Sequence, residues 1–84
     1  MIHPDLFLQV VDELSKVFKC APENFHSDTC AADIEGWDSL SNIRMLLRLE
    51  EIFYIRFTGM EAAGLENVGE LVDMVAEKIK SEAI

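Results

Sequence analysis

Three stretches of this chain repeat their apolar residues every three or four positions, and that period commits the chain to helices. In the first stretch, Leu6, Phe7, Val10, Val11, Leu14, Val17 and Phe18 share one side, while Asp12, Glu13 and Lys16 take the other. His3-Pro4-Asp5 opens it, because a first turn has no use for the N–H that proline lacks and Asp5 suits the positive helix end. Lys19 is expected in its last turn, and Pro22 stops it. The second stretch runs from about Ser39 to Phe53. The third opens at Asn67, with Glu70 completing a variant capping box, and turns Leu71, Val72, Val75 and Ile79 inward. Between them, Tyr54-Ile55-Arg56-Phe57 reads as extended but has nothing nearby to pair with as a sheet. Thr58 then caps a short helical turn over Gly59 to Ala63, which Gly64 ends. The order is long helix, long loop, long helix, short turn, long helix.

The loop over residues 20–38 has no period: Pro22, Asn24, Ser27, Asp28, Thr29 and Gly36 break it. A connection this long in a small domain is uncommon and often functional. Phe25 and Ile34 are its expected anchors, with Trp37 a third whose indole N–H stays at the wet edge. Residues 1–84 are expected to form one domain, burying only ~60–65% of the unfolded surface. A deep catalytic cleft is hard to house at this size; a small binding or carrier domain is not.

The net charge of −9, from 16 acids against 7 bases, argues against nucleic acid, whose phosphates are met by Lys and Arg. It favours basic protein partners. The charge is uneven. From Cys20 to Ile43, and again from Phe57 to Glu77, there are five acids and no Lys or Arg, and Arg44, Arg48 and Arg56 lie between these regions. With no basic-then-apolar leader and no apolar run near ~18 residues, a cytoplasmic protein without stable membrane insertion is expected. Cys20 and Cys30 are then expected as free thiols, and the chain as a monomer.

Stepping the second helix by ~100° per residue puts Ser41, Arg44, Arg48 and Glu51 in one narrow arc. Leu40, Ile43 and Leu47 flank it on one side, Met45, Leu49 and Ile52 on the other, with Leu46 and Phe53 behind. Such a helix is expected to pack on more than one side and to leave a thin polar stripe. Met45, Met60 and Met74 are expected as flexible core filler.

Gly36-Trp37-Asp38-Ser39-Leu40 closes the acidic loop and opens this helix, so Ser39 sits where backbone N–H groups have no helical partner. A hydrolytic serine would need a base in reach, and His3 and His26 lie in no context that marks a triad. Two readings remain: Asp38 or Ser39 caps the helix and nothing more, or Ser39 is covalently modified, since a phosphate there would meet the helix dipole and free N–H groups. Cys20, His26 and Cys30 match no zinc spacing, and the acids from Asp28 to Asp38 lack the pattern of a calcium loop; no metal site is expected.

Gly36-Trp37-Asp38-Ser39-Leu40, followed by Ile43, Leu46, Leu47, Leu49, Glu50, Glu51 and Phe53, resembles the acyl carrier protein family, and Asn67-Val68-Gly69-Glu70-Leu71 resembles the opening of that family's last helix. The resemblance implies an all-α four-helix bundle of three long helices and a short third one, with a long loop between helices 1 and 2. It implies a non-catalytic carrier: Ser39 bears 4′-phosphopantetheine, transferred from coenzyme A by a phosphopantetheinyl transferase that uses a divalent metal, and the arm carries an acyl or aminoacyl group as a thioester. Gly36, Trp37, Asp38 and Leu40 form the attachment motif. Ile43, Leu46, Leu47, Ala62 and Leu65 would border an apolar space for the cargo, or else are ordinary core. An acyl-loading synthetase and an acyl-using transferase or synthase are the further partners implied, in fatty acid and other lipid, polyketide or specialised biosynthesis.

The chain departs from the family at Ser41, Arg44, Arg48 and Glu51, a stripe that is acidic in many members and read by basic partners. Two arginines there imply a specialised carrier with dedicated partners rather than the housekeeping one, because like charges meeting across an interface are costly. The alternative is a non-covalent interaction module of the same fold, in which Ser39 only caps and its replacement by Ala costs ~1 kcal/mol and no function.

Overall fold

The computed structural model describes residues 4–82. Four helices follow in order: α1 (Pro4–Phe18), α2 (Ser39–Phe53), α3 (Gly59–Ala63) and α4 (Val68–Glu82). The long connection between α1 and α2 contains two 3-10 turns, Pro22–Asn24 and Ala31–Asp33, and the described residues contain no strand. This is the expected all-α bundle of three long helices and one short one. His3, expected at the start of α1, lies outside the described residues.

The core is where the apolar faces meet. Val10, Val11 and Leu14 come from α1, Met45, Leu46 and Leu49 from α2, and Leu71, Val72 and Val75 from α4, all buried. Each fully buried aliphatic side chain stabilises the fold by roughly 1.5–3 kcal/mol relative to exposure. Phe25 and Ile34 are buried too, so the long connection is pinned at the two places its apolar residues suggested. Ile55, in the segment after α2, is buried with them.

Four local details differ from the sequence-based expectation. Tyr54, expected to be extended, is the left-handed C-cap of α2, with φ 57° and ψ 48°. Lys19 lies beyond α1 rather than in its last turn, because its φ of 55° turns the chain out of the helix, and Lys16 is the base in that last turn. Gly64 ends α3 with φ −86°, an ordinary helical value, so no left-handed residue is used there. Asn67 accepts from Glu70 N at 2.8 Å, but the Glu70 carboxylate accepts from Glu66 N at 3.1 Å instead of closing the box on Asn67.

The larger correction concerns α2. It packs on one side only: Leu40, Ile43 and Leu47 are 66%, 55% and 56% exposed. Helical periodicity separates apolar from polar positions but does not say what covers them. Here α1 packs along α2, whereas α3 is five residues long and buries none of them fully, so one apolar flank stays open. Met60 is likewise 88% exposed rather than core filler, whereas Met45 is buried.

The connection also caps α4. Val68 N donates to Thr29 O at 2.9 Å and Gly69 N to Ser27 O at 2.7 Å, satisfying two of the N–H groups that a helix start leaves without partners. Thr29, the one buried polar residue among those described, holds the turn with its Oγ1, which accepts from His26 N at 2.8 Å. No helix among the described residues is long and apolar enough to cross a membrane.

Candidate functional site

The loop-to-helix corner at residues 36–42 is fixed from several directions. Gly36 has φ +87°, a left-handed turn that glycine adopts without steric cost. Asp38 N then donates to Gly36 O at 3.1 Å. Trp37 stacks on Phe18 at the end of α1, ring centroids 4.9 Å apart and planes 25° from parallel. Its indole Nε1–H, half-buried at the edge of the domain, donates to Asn42 Oδ1 at 3.0 Å and so ties the loop to the first turn of α2. No pattern rule would have singled out Asn42; the available hint is an amide five residues after a lone tryptophan, across a helix start.

Asp38 is the N-cap of α2. Its carboxylate accepts from Ser41 N at 2.9 Å, and that bond holds the carboxyl below its ordinary range. Ser39 is the first residue of the helix; its side chain lies outside the described features. The first turn of α2 contains no acid, so behind the cap the helix presents its positive end.

Beside the corner is a cavity of about 410 Å³. Trp37, Asp38 and Asn42 form its rim, and Met45, Leu65 and Leu71 are among its apolar lining. Of the five residues expected to border such a space, Ala62 and Leu65 line it. Leu46 is buried in the core, and Ile43 and Leu47 stand exposed on the α2 surface, so none of these three does. Short α3 contributes its wall without filling it, because Ala62 and Ala63 are small.

The stripe of Ser41, Arg44, Arg48 and Glu51 is only partly free. Arg48 Nε pairs with Glu13 Oε1 at 3.1 Å, linking α2 to α1. Arg44 is exposed and has no ion pair among the described residues. The described residues hold no group of three His, Cys, Asp or Glu side chains placed to share a metal ion. Both cysteines are free thiols.

Residues 8–75 match a protein-family model described as phosphopantetheine attachment site. The chain is similar to an acyl carrier protein of Cyanidium caldarium, 35% identical over 48 residues, which is 57% of this chain and 56% of that protein. The match thus spans a little over half the length of that curated relative. The fold is similar to the solution structure of holo acyl carrier protein from Geobacter metallireducens, with a TM-score of 0.84, 31% identity, and coverage of 92% of this chain and 88% of that one.

Proposed function

The chain belongs to the phosphopantetheine attachment-site family, and on that premise we propose that it is an acyl carrier whose Ser39 bears the 4′-phosphopantetheine arm. The observation that carries the assignment is the position of Ser39: first residue of α2, behind the Asp38 cap, at a corner pinned by Gly36 and Trp37 and next to the cavity. The surroundings fit the group. A phosphodiester on Ser39 would face the positive end of a helix whose first turn carries no acid. The cavity combines a polar rim at Asp38 and Asn42 with an apolar interior at Met45, Leu65 and Leu71, suited to an arm with amides along it and an apolar cargo.

When bound, the arm supplies a terminal thiol to which an acyl or aminoacyl group is joined as a thioester. The rest is done by the protein's own residues. Asp38 takes the capping duty, leaving Ser39 without need to serve as the cap, which weighs against an interaction module in which capping is the only task of that serine. The Trp37–Phe18 stack and the Trp37–Asn42 bond hold the corner in one geometry for successive enzymes to recognise. Leu40, Ile43 and Leu47 give those enzymes an apolar strip, and Ser41, Arg44, Arg48 and Glu51 its polar border.

The partners in this reading are a phosphopantetheinyl transferase, an acyl-loading synthetase and an acyl-using transferase or synthase. Arg44 sets them apart from enzymes built for an all-acidic stripe, so the carrier serves a specialised pathway. The decisive test is intact mass after incubation with coenzyme A, magnesium and a broad-specificity phosphopantetheinyl transferase. Wild type should gain one phosphopantetheine group and Ser39→Ala none; no gain in folded wild type would overturn the assignment. Turnover by housekeeping elongation enzymes equal to that of a standard carrier would overturn the specialised role alone.

A further inference from the structure

A second groove lies between α3 and α4, away from the corner at Ser39. Its volume is about 530 Å³, and its apolar surface is Met60, Leu65 and Met74. Met60 is 88% exposed, an unbranched, polarizable side chain of the kind that adapts to varied partners.

The groove is edged with carboxylates. Glu70, Asp73 and Glu77 follow each other on α4 at intervals of three and four residues, so they form one stripe along its surface. All three are exposed. Asp73 and Glu77 form no ion pair among the described residues. Like charges at this spacing destabilise the helix they stand on. The only base at the groove, Lys78, is already paired with Glu61 at 2.6 Å. The charge left over is negative, on a rim around an apolar floor.

We propose that the α3–α4 groove is a docking site for a basic segment of a partner protein, one apolar side chain entering between Met60 and Met74 and flanking Lys or Arg residues meeting Asp73 and Glu77. Charge complementarity selects this occupant: cations relieve the repulsion along α4, while an acidic or purely apolar segment leaves it in place. The site goes beyond the carrier reading and does not depend on it: Leu65 is the one residue it shares with the cavity beside the corner, and Met60, Met74 and the carboxylates that define it border no part of that cavity. It would let one partner hold this face while another works at the α2 face.

The test uses the full chain and a 15-residue amphipathic helical peptide of Leu and Lys, titrated at low and at physiological salt. Amide shift changes should concentrate at Met60, Leu65, Asp73, Met74 and Glu77. Asp73→Lys with Glu77→Lys should weaken binding at least about tenfold. The charge-matched pair Glu23→Lys with Glu35→Lys, on the exposed long connection, should weaken it less than about threefold. Met60→Ser, which changes no charge, should weaken it several-fold. Shift changes spread over acidic residues at large or gathered on Leu40, Ile43 and Leu47, equal losses in the two charge-reversed pairs, or no binding would each overturn the proposal. Ser39→Ala should bind the peptide as wild type does, so failure here and failure of the carrier assignment are read separately.

Discussion

Gly69 and Ser27 meet backbone to backbone: Gly69 N donates to Ser27 O at 2.7 Å, and a Cβ added to Gly69 would stand 2.9 Å from that same oxygen. The contact is what lets the long connection close over the start of α4, and a side chain at residue 69 must push it away. Gly69→Ala is therefore expected to lower stability by about 1–2 kcal/mol, an overpacking cost partly offset by the better helix propensity of alanine. Gly59 is the internal control. A Cβ there would meet nothing within 4 Å, and its φ is not positive, so Gly59→Ala should be neutral or stabilising by up to about 1 kcal/mol through the unfolded chain. Urea unfolding of both variants checks the contrast; equal effects would show that the Ser27 contact is not tight in solution.

The open flank of α2 makes a second contrast. Leu46 is buried, whereas Leu40, Ile43 and Leu47 are more than half exposed. Leu46→Ala should cost about 2–4 kcal/mol, the transfer term plus the cavity left behind. Leu40→Gln, Ile43→Gln and Leu47→Gln should each stay within about 0.5 kcal/mol of wild type, as surface changes do. Under the carrier assignment these same three changes should slow transfer by partner enzymes while leaving the melting curve in place. A large stability loss at Leu47 would mean that this flank is covered after all.

Trp37 and Asn42 are coupled through one hydrogen bond, part-buried and 3.0 Å long. Trp37→Phe keeps an aromatic ring on Phe18 and removes the N–H donor; Asn42→Ala removes the acceptor. The double-mutant cycle should return a coupling of about 0.5–1.5 kcal/mol. Trp37 is the only tryptophan, so the fluorescence of the Asn42→Ala protein should also report a changed environment at the corner. A coupling near zero would show that the indole N–H is satisfied by water.

Much of this arrangement is legible in the amino-acid sequence. The start and end of α2 are legible because capping residues, Asp38 or Ser39, and a helical apolar period agree on where it lies, and Thr58 marks the start of α3 as a capping residue ahead of a short turn. Phe25 and Ile34 stand out as anchors because each is a lone large apolar residue in a polar connection. The features that escape such a reading depend on partners distant in sequence or on geometry without a composition signal. The Ser27–Gly69 contact is between backbone groups, which no residue pattern encodes. Lys19 takes a left-handed conformation usually left to glycine or asparagine. The exposure of Ile43 and Leu47, and with it their absence from the cavity wall, follows from the shortness of α3 rather than from anything in α2.

Glu61 ties the capping of α3 to its attachment on α4. Its Oε1 accepts from Thr58 N at 2.8 Å and from Lys78 Nζ at 2.6 Å. Lys78 first, and the Thr58 N–H second, hold the carboxyl below its ordinary value of 4.5. A carboxylate whose folded value is depressed contributes stability that is present above its unfolded value and is lost as pH falls through the folded one. For Glu61 that window begins near 4.5 and extends downward. Because α3 has no fully buried residue, its own attachment should weaken across this window. Lys78→Gln removes the larger cause and leaves the Thr58 N–H, so the Glu61 titration midpoint should rise toward 4.5 without quite reaching it. At neutral pH the same variant should speed hydrogen exchange at the α3 amides more than at those of α1. Carboxyl-carbon NMR titration of Glu61 and native-state exchange make the two measurements, and an unmoved midpoint would mean that the ion pair does not form in solution.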